Sequence, residues 1–178
     1  MTAPTTPQLK LISIAMRNFM SYGNNVTVVR LDQPGTTFIV GKDLDNTTNG
    51  TGSNGVGKTT ILNAIVYALY NRALSEDVTV DGLINNINKK NMEVTLDFSI
   101  GDMCYRIVRA RKMKSGPSGN YVRFYSRLGD FEFEEKDDSS LTLAIPVVVC
   151  VYTTTLLMLG CSMIGKKVQS IRSALFQH

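Results

Sequence analysis

The stretch from Thr36 to Tyr70 decides the fold, and it reads TTFIVGKDLDNTTNGTGSNGVGKTTILNAIVYALY. Its β-branched and aromatic start, Thr36–Val40, predicts a short buried strand. A glycine-rich loop follows. From Thr59 onward, apolar residues recur at the spacing of a helix. The apolar face predicted for this helix consists of Ile61, Leu62, Ile65, Ala68 and Leu69.

The loop between the predicted strand and helix contains the pattern G-x-x-x-x-G-K-[ST], from Gly52 to Thr59. Glycines permit positive φ angles, which bring main-chain N–H groups close to phosphate oxygens. A helix that opens at the end of the loop adds its free N–H groups and its positive dipole end. Lys58 can contact the β- and γ-phosphates, and the Thr59 hydroxyl can ligate Mg²⁺. A chance glycine-rich turn is the alternative, but the flanking strand and helix favour nucleotide binding.

Length and composition indicate one soluble domain with a substantial core, since the chain has 178 residues and a net charge of +4. All acidic residues lie at or before Asp138, so the mildly basic balance says little about a nucleic-acid partner. The three cysteines make no metal-binding spacing and favour a reduced, cytoplasmic setting. The single histidine is the last residue, which excludes catalytic arrangements that need an internal histidine. Residues 1–8 lack the features of a signal peptide and are expected to form a disordered tail.

Alternating apolar and polar residues predict strands on both sides of the central stretch. Gly101-Asp102 is a two-residue hairpin signal between two of them. An antiparallel meander is therefore expected after the helix, and a short helical turn is expected around Leu83–Ile87. The predicted strands are Lys10–Phe19, Val26–Leu31, Glu93–Ile100, Met103–Lys112, Tyr121–Arg127 and Phe131–Glu135.

Basic residues gather near the end of the predicted strand Met103–Lys112. A solvated strand end is favoured over a contact with a phosphate backbone. Lys89 and Lys90 add weight to the second interpretation if they share the same surface. The cluster consists of Arg106, Arg109, Arg111, Lys112 and Lys114.

The C-terminal segment, residues 139–178, differs in character from the rest. It has no charged residue from Ser139 to Gly165, and a basic end follows. Its length and hydropathy fit a membrane span. Pro146, Gly160 and a run of three threonines argue against a span. The valines and threonines fit buried strands equally well, and both interpretations stay open.

Two groups of motifs carry a resemblance to a known family. The first is the opening strand I-x-M-R-N-F-M-S-Y-G at 14–23. The second is N-G-V-G-K-T-T-I-L-N-A-I at 54–65, followed by L-I-N-N-I-N-K-K-N-M-E-V-x-L-D-F and Y-R-I-V-R. From about Leu9 to Glu135 the chain resembles the N-terminal half of the ATPase head of SMC-like (SbcC-type) DNA-repair proteins. The likeness is strongest to the large subunit of the recombination endonuclease of tailed phages.

The resemblance implies an α/β P-loop NTPase, namely the N-terminal lobe of an ABC-type ATPase head over residues 9–138. It implies ATP and Mg²⁺ as cofactors. It also implies a second ATPase head in a homodimer, a metal-dependent nuclease subunit and DNA as partners, with ATP hydrolysis gating the processing of DNA ends. The matching positions place Asn54, Gly55, Gly57, Lys58, Thr59 and Thr60 on the triphosphate, with Thr59 also on Mg²⁺. They place Arg17, Asn18 and the following turn near the nucleotide.

The chain departs from the family at several points. Met20 stands where many relatives carry arginine, and the segment before Gly52 is longer than the compact motif. Beyond about Glu135 the sequence lacks the signature motif and the Walker B Asp-Glu pair, so truncation, with an out-of-frame or divergent tail, is the simplest hypothesis. Such a chain is expected to bind ATP·Mg²⁺ weakly and to hydrolyse it negligibly. The alternatives are an unrelated small P-loop enzyme such as a kinase and a membrane-tethered, non-catalytic P-loop protein.

Overall fold

The computed structural model describes residues 8–40, 57–114 and 119–136. In this part of the chain one α-helix, α1 (Lys58–Tyr70), follows two strands and precedes four. A 3₁₀ turn at Asp81–Leu83 lies between the helix and the third strand. The strands are β1 (Leu9–Arg17), β2 (Thr27–Arg30), β3 (Met92–Ile100), β4 (Met103–Arg111), β5 (Tyr121–Leu128) and β6 (Glu134–Lys136).

All six strands form one sheet in the order β2-β1-β3-β4-β5-β6, and every neighbouring pair is antiparallel. The strand β3 is central, since it pairs with β1 on one side and with β4 on the other. The β3–β4 hairpin turns at Gly101-Asp102, with Ile100 opposite Met103, as the sequence predicts. From β3 onward each described strand pairs with the next one along the chain.

The core lies between one face of this sheet and α1. The alternation along β3 buries Met92, Val94, Leu96 and Phe98 on that face, because side chains of a strand point alternately to its two sides. The helix packs across β1, β3 and β4. Its Tyr67 ring lies 5.7 Å from the ring of Phe19, centroid to centroid. The opposite face of the sheet carries polar side chains, among them Asp97 and Arg106, which form a bidentate ion pair.

The structure corrects two sequence expectations. Thr36–Val40 is neither a strand nor buried, and the Phe38 side chain is 84% exposed. In α1 the buried face is rotated from the predicted one, because Leu62 is 55% exposed whereas Thr60, Ala64 and Tyr67 are buried. Ile61, Ala68 and Leu69 of the predicted face are buried. Residue type and spacing identify an apolar residue but do not say against which surface its side chain packs.

Several sequence predictions concern residues outside the described ranges. They include the tail 1–8, apart from Gln8, the loop before Gly57 and the whole segment 139–178. None of the helices in the described ranges has the length and apolar character needed to cross a membrane.

Candidate nucleotide-binding site

The helix α1 begins directly after the glycine that ends the phosphate-binding pattern. Gly57 adopts a left-handed conformation with φ 90° and ψ 13°, and no side chain caps the helix start. The first turn of α1 contains no acidic residue, and the side chains of Lys58 and Thr59 are exposed. The positive dipole end of the helix and an exposed lysine therefore meet at one place, as a phosphate group requires. A hydroxyl next to the lysine suits a Mg²⁺ ion bound to the same phosphates.

The turn that follows β1 lies against this helix start. The Tyr22 hydroxyl donates a hydrogen bond to the carbonyl oxygen of Gly57 at 3.4 Å. The Ser21 hydroxyl oxygen lies 3.4 Å from the hydroxyl oxygen of Thr60. A Cβ atom placed on Gly57 would approach the Ser21 Oγ to 2.7 Å, which no ordinary contact allows. The close approach of this turn and the positive φ both require glycine at this position.

Asn18 lies at the base of that turn and is fully buried. Its backbone is left-handed, with φ 49°. Its side-chain amide donates to the Asn91 carbonyl at 3.1 Å and to the Asn24 side-chain oxygen at 3.3 Å. Its side-chain oxygen accepts a 2.7 Å hydrogen bond from Asn88. The side chain is thus engaged within the fold, and its link to the site is made through the turn.

Arg17 lies on the side of the sheet opposite α1, since it pairs with Glu93 in the register of β1 and β3. Its guanidinium donates to the Asn24 side-chain oxygen at 3.3 and 3.4 Å. The described contacts of Arg17 therefore brace the same turn. Asn54 and Gly55 lie outside the described residues.

The basic cluster predicted near the end of β4 is not one surface. Arg109 points to the helix side, where its Nε donates to the Ala68 carbonyl at 2.6 Å. Arg111 forms a 2.9 Å ion pair with Asp81 on that side, and Lys112 adds a second pair to the same carboxylate. These two cations hold the pKa of Asp81 below its usual range. Arg106 lies on the other face, where the hydrogen bonds with Asp97 raise its pKa.

The resemblance placed the turn after Asn18 near the nucleotide, but sequence reasoning assigned no role to Ser21 and Tyr22 within it. It also did not connect the asparagines around Asn88 with the site. The motif S-Y after N-F-M was a usable signal, because serine and tyrosine hydroxyls can bond to a nearby backbone.

Among the described residues no group of three or more His, Cys, Asp and Glu side chains is placed to hold a metal ion.

Two phage proteins are similar to this chain in sequence. The exonuclease subunit 2 of Escherichia phage RB69 is 31% identical over 136 residues, which cover 76% of this chain and 22% of the relative. The exonuclease subunit 2 of Enterobacteria phage T4 is 35% identical over 103 residues, which cover 58% of this chain and 16% of the relative. The chain thus spans about a fifth of the length of these relatives.

A family model described as an AAA domain matches residues 13–148. This range includes β1 from Ser13 onward, the turn that follows it, the phosphate-binding pattern and the whole of α1. Because the match covers well over half of the chain, this protein belongs to the AAA-domain family of SMC-like P-loop ATPases.

Proposed function

We propose that this chain is the ATP-binding lobe of an ATPase subunit in a phage-type recombination nuclease. One observation carries the proposal: α1 opens at a left-handed Gly57 with exposed Lys58 and Thr59, inside a sequence that the AAA family covers. Lys58 would contact the terminal phosphates of ATP, and Thr59 would ligate Mg²⁺. Asn54, Gly55, Gly57 and Thr60 would line the triphosphate.

The proposed partners follow from the relatives, which are both named exonuclease subunit 2. In this proposal the complete ATPase works with a metal-dependent nuclease subunit and acts on DNA ends during recombination and double-strand-break repair. It pairs with a second ATPase head, in the cytoplasm of the infected host. A small kinase with consecutive parallel strand–helix units is disfavoured, because every described strand pair is antiparallel.

The first test is calorimetric titration of the 178-residue chain with ATP in the presence of Mg²⁺. Lys58→Ala is expected to weaken binding roughly 10- to 100-fold, the equivalent of one charge-assisted hydrogen bond. The control is Lys10→Ala, which removes an exposed lysine from β1. Equal affinities of the parent chain and Lys58→Ala would contradict a nucleotide site at this loop.

Turnover is a separate expectation of the same proposal. The sequence holds no apolar strand followed by an Asp-Glu pair, which in P-loop ATPases holds Mg²⁺ and polarises the attacking water. We therefore expect ATP hydrolysis by this chain at the level of Lys58→Ala. A parent rate that clearly exceeds that of the variant would show that a catalytic carboxylate is present after all.

A further inference from the structure

Asparagine side chains in the segment Leu83–Asn88 hold the turn that lies against Gly57 and the start of α1. The segment Leu83–Asn88 runs along this turn, and the two are linked by main-chain and side-chain bonds. The Met20 N–H donates to the Leu83 carbonyl at 2.7 Å, and the Asn85 N–H donates to the Asn18 carbonyl at 2.9 Å. The Asn85 side-chain amide donates to the Met20 carbonyl at 2.8 Å. The buried Asn85 thus satisfies two carbonyl groups of the turn.

The segment Leu83–Asn88 is internally braced. The Asn85 side-chain oxygen accepts the N–H groups of Ile87 and Asn88, at 3.1 and 3.0 Å. This places the Asn88 side-chain amide where it donates a 2.7 Å hydrogen bond to the side-chain oxygen of the buried Asn18. Asn18 and Met20 both have positive φ, an arrangement that persists only when surrounding contacts hold it. The conformation of the turn therefore depends on Asn85 and Asn88.

The turn held by these asparagines contacts the start of α1, where the nucleotide site is proposed. Its Ser21 contacts Thr60 in the first turn of α1, and its Tyr22 contacts Gly57, which directly precedes the helix. A shift of the turn would release the Gly57 carbonyl and open space beside Gly57, where Ser21 now lies too close for any Cβ. Binding that depends on aligned N–H groups falls when the loop that carries them samples other conformations.

We propose that Asn85 and Asn88 are positioning residues for Gly57 and the first turn of α1, acting through the turn 18–23 to set the affinity for nucleoside triphosphate. The inference rests on the proposed function, because it concerns the same site. Both residues lie more than twenty positions beyond the phosphate-binding pattern in the sequence, and their side chains bond to the turn and to the segment Leu83–Asn88 itself. They differ from Lys58, which would contact the phosphates directly.

The test combines affinity with a mutant cycle on the full chain, with ATP·Mg²⁺ as the probe. Asn88→Ala is expected to raise the dissociation constant about 3- to 10-fold, the range of a lost neutral hydrogen bond. Asn88→Asp, which replaces the donor with an acceptor facing the Asn18 oxygen, is expected to cost at least as much. Ile107→Val is the control, since it trims one methyl group from the core on β4. Its thermal stability is expected to fall while its affinity stays unchanged.

The cycle separates positioning from general stability. In a Ser21→Ala/Tyr22→Phe background the contacts of the turn with the loop are already gone, so Asn88→Ala is expected to cost little further affinity. Full additivity in this background would overturn the inference, as would unchanged affinity of Asn88→Ala in the parent. Should Asn88→Ala fail to fold, the Ser21→Ala/Tyr22→Phe double variant decides, because unchanged affinity there would show that the contacts of the turn with Gly57 and Thr60 do not influence binding. Absence of ATP binding by the parent chain would instead overturn the proposed function, and the inference with it.

Discussion

At the scale of single residues, Gly57 combines two constraints that seldom coincide. Its φ of 90° is strained for any residue with a Cβ, and the Ser21 hydroxyl fills the space where the Cβ would lie. Gly35 has a similar φ of 82° but nothing within 4 Å of the same position. Comparing Gly57 with Gly35 therefore separates two reasons for glycine, the positive φ angle and the lack of space for a Cβ atom.

Gly57→Ala is expected to destabilise the chain by about 1–3 kcal/mol and to abolish ATP binding, because backbone strain and a steric clash add at one residue. Gly35→Ala is expected to show the strain alone, about 1 kcal/mol, with ATP affinity unchanged. Urea unfolding and ATP titration of both variants make the comparison. Adding Ser21→Ala should recover part of the stability lost in Gly57→Ala. Equal losses in the two alanine variants would mean that the contact with Ser21 carries no energy.

At the scale of elements, Arg109 joins the end of α1 to the strand β4. Its guanidinium donates to the carbonyls of Ala68 and Leu69, at 2.6 and 3.3 Å. Carbonyls in the last turn of a helix lack partners within the helix and carry its negative dipole end, so a cation there satisfies both needs. The same strand thus contributes to the core through Ile107 and caps the helix through Arg109.

Arg109→Met keeps much of the apolar stem and removes the cap. We expect it to lower the free energy of unfolding by about 1.5–3 kcal/mol, the range for hydrogen bonds to a charged group. The matched control is Arg123→Met on the opposite face of the sheet, where the arginine forms a loose 3.7 Å ion pair with Glu135. Since exposed pairs contribute little, the control should unfold almost like the parent. Chemical denaturation is the measurement, and similar losses in both variants would rule out the cap.

The elements show how far sequence reasoning extends. The strands β1 and β3–β5 were predictable because their alternation reflects burial within the described sheet, and α1 was predictable from its spacing and the motif before it. Thr36–Val40 has the same residue types, but no surface of the described chain covers it. Residue types alone do not show whether another segment packs on a stretch. The sequence analysis grouped the basic residues near the end of β4, and the odd spacing between Arg106 and Arg109 assigns these two to opposite faces of the strand. The link between Asn18 and Asn88 joins residues 70 positions apart and has no periodic signal.

At the scale of the whole molecule, tyrosines with raised pKa values make the free energy of unfolding depend on pH in the alkaline range. Burial against the sheet raises the pKa of Tyr67 to about 12, and nearby arginines only partly offset this effect. Burial also raises the pKa of Tyr22, Tyr70 and Tyr121. An unfolded tyrosine ionises near pH 10, so between about pH 10 and 12 the unfolded chain releases protons that the folded chain keeps. Ionisation of these tyrosines therefore leaves the free energy of unfolding unchanged below about pH 10 and lowers it as the pH rises toward 12.

The share of Tyr67 in this loss can be isolated with Tyr67→Phe. At pH 8 the variant should be the less stable chain, because it loses the side-chain bond to Arg111. As the pH rises toward 12 the parent loses up to about 3 kcal/mol through Tyr67, whereas the variant lacks this titration. The difference between the two free energies of unfolding should shrink and then change sign. Urea titrations at intervals between pH 8 and 12 measure it, and the other tyrosines act equally on both chains. A difference that stays constant across this range would mean that Tyr67 ionises in the folded chain as readily as in the unfolded chain. Burial between the helix and the sheet would then not raise its pKa.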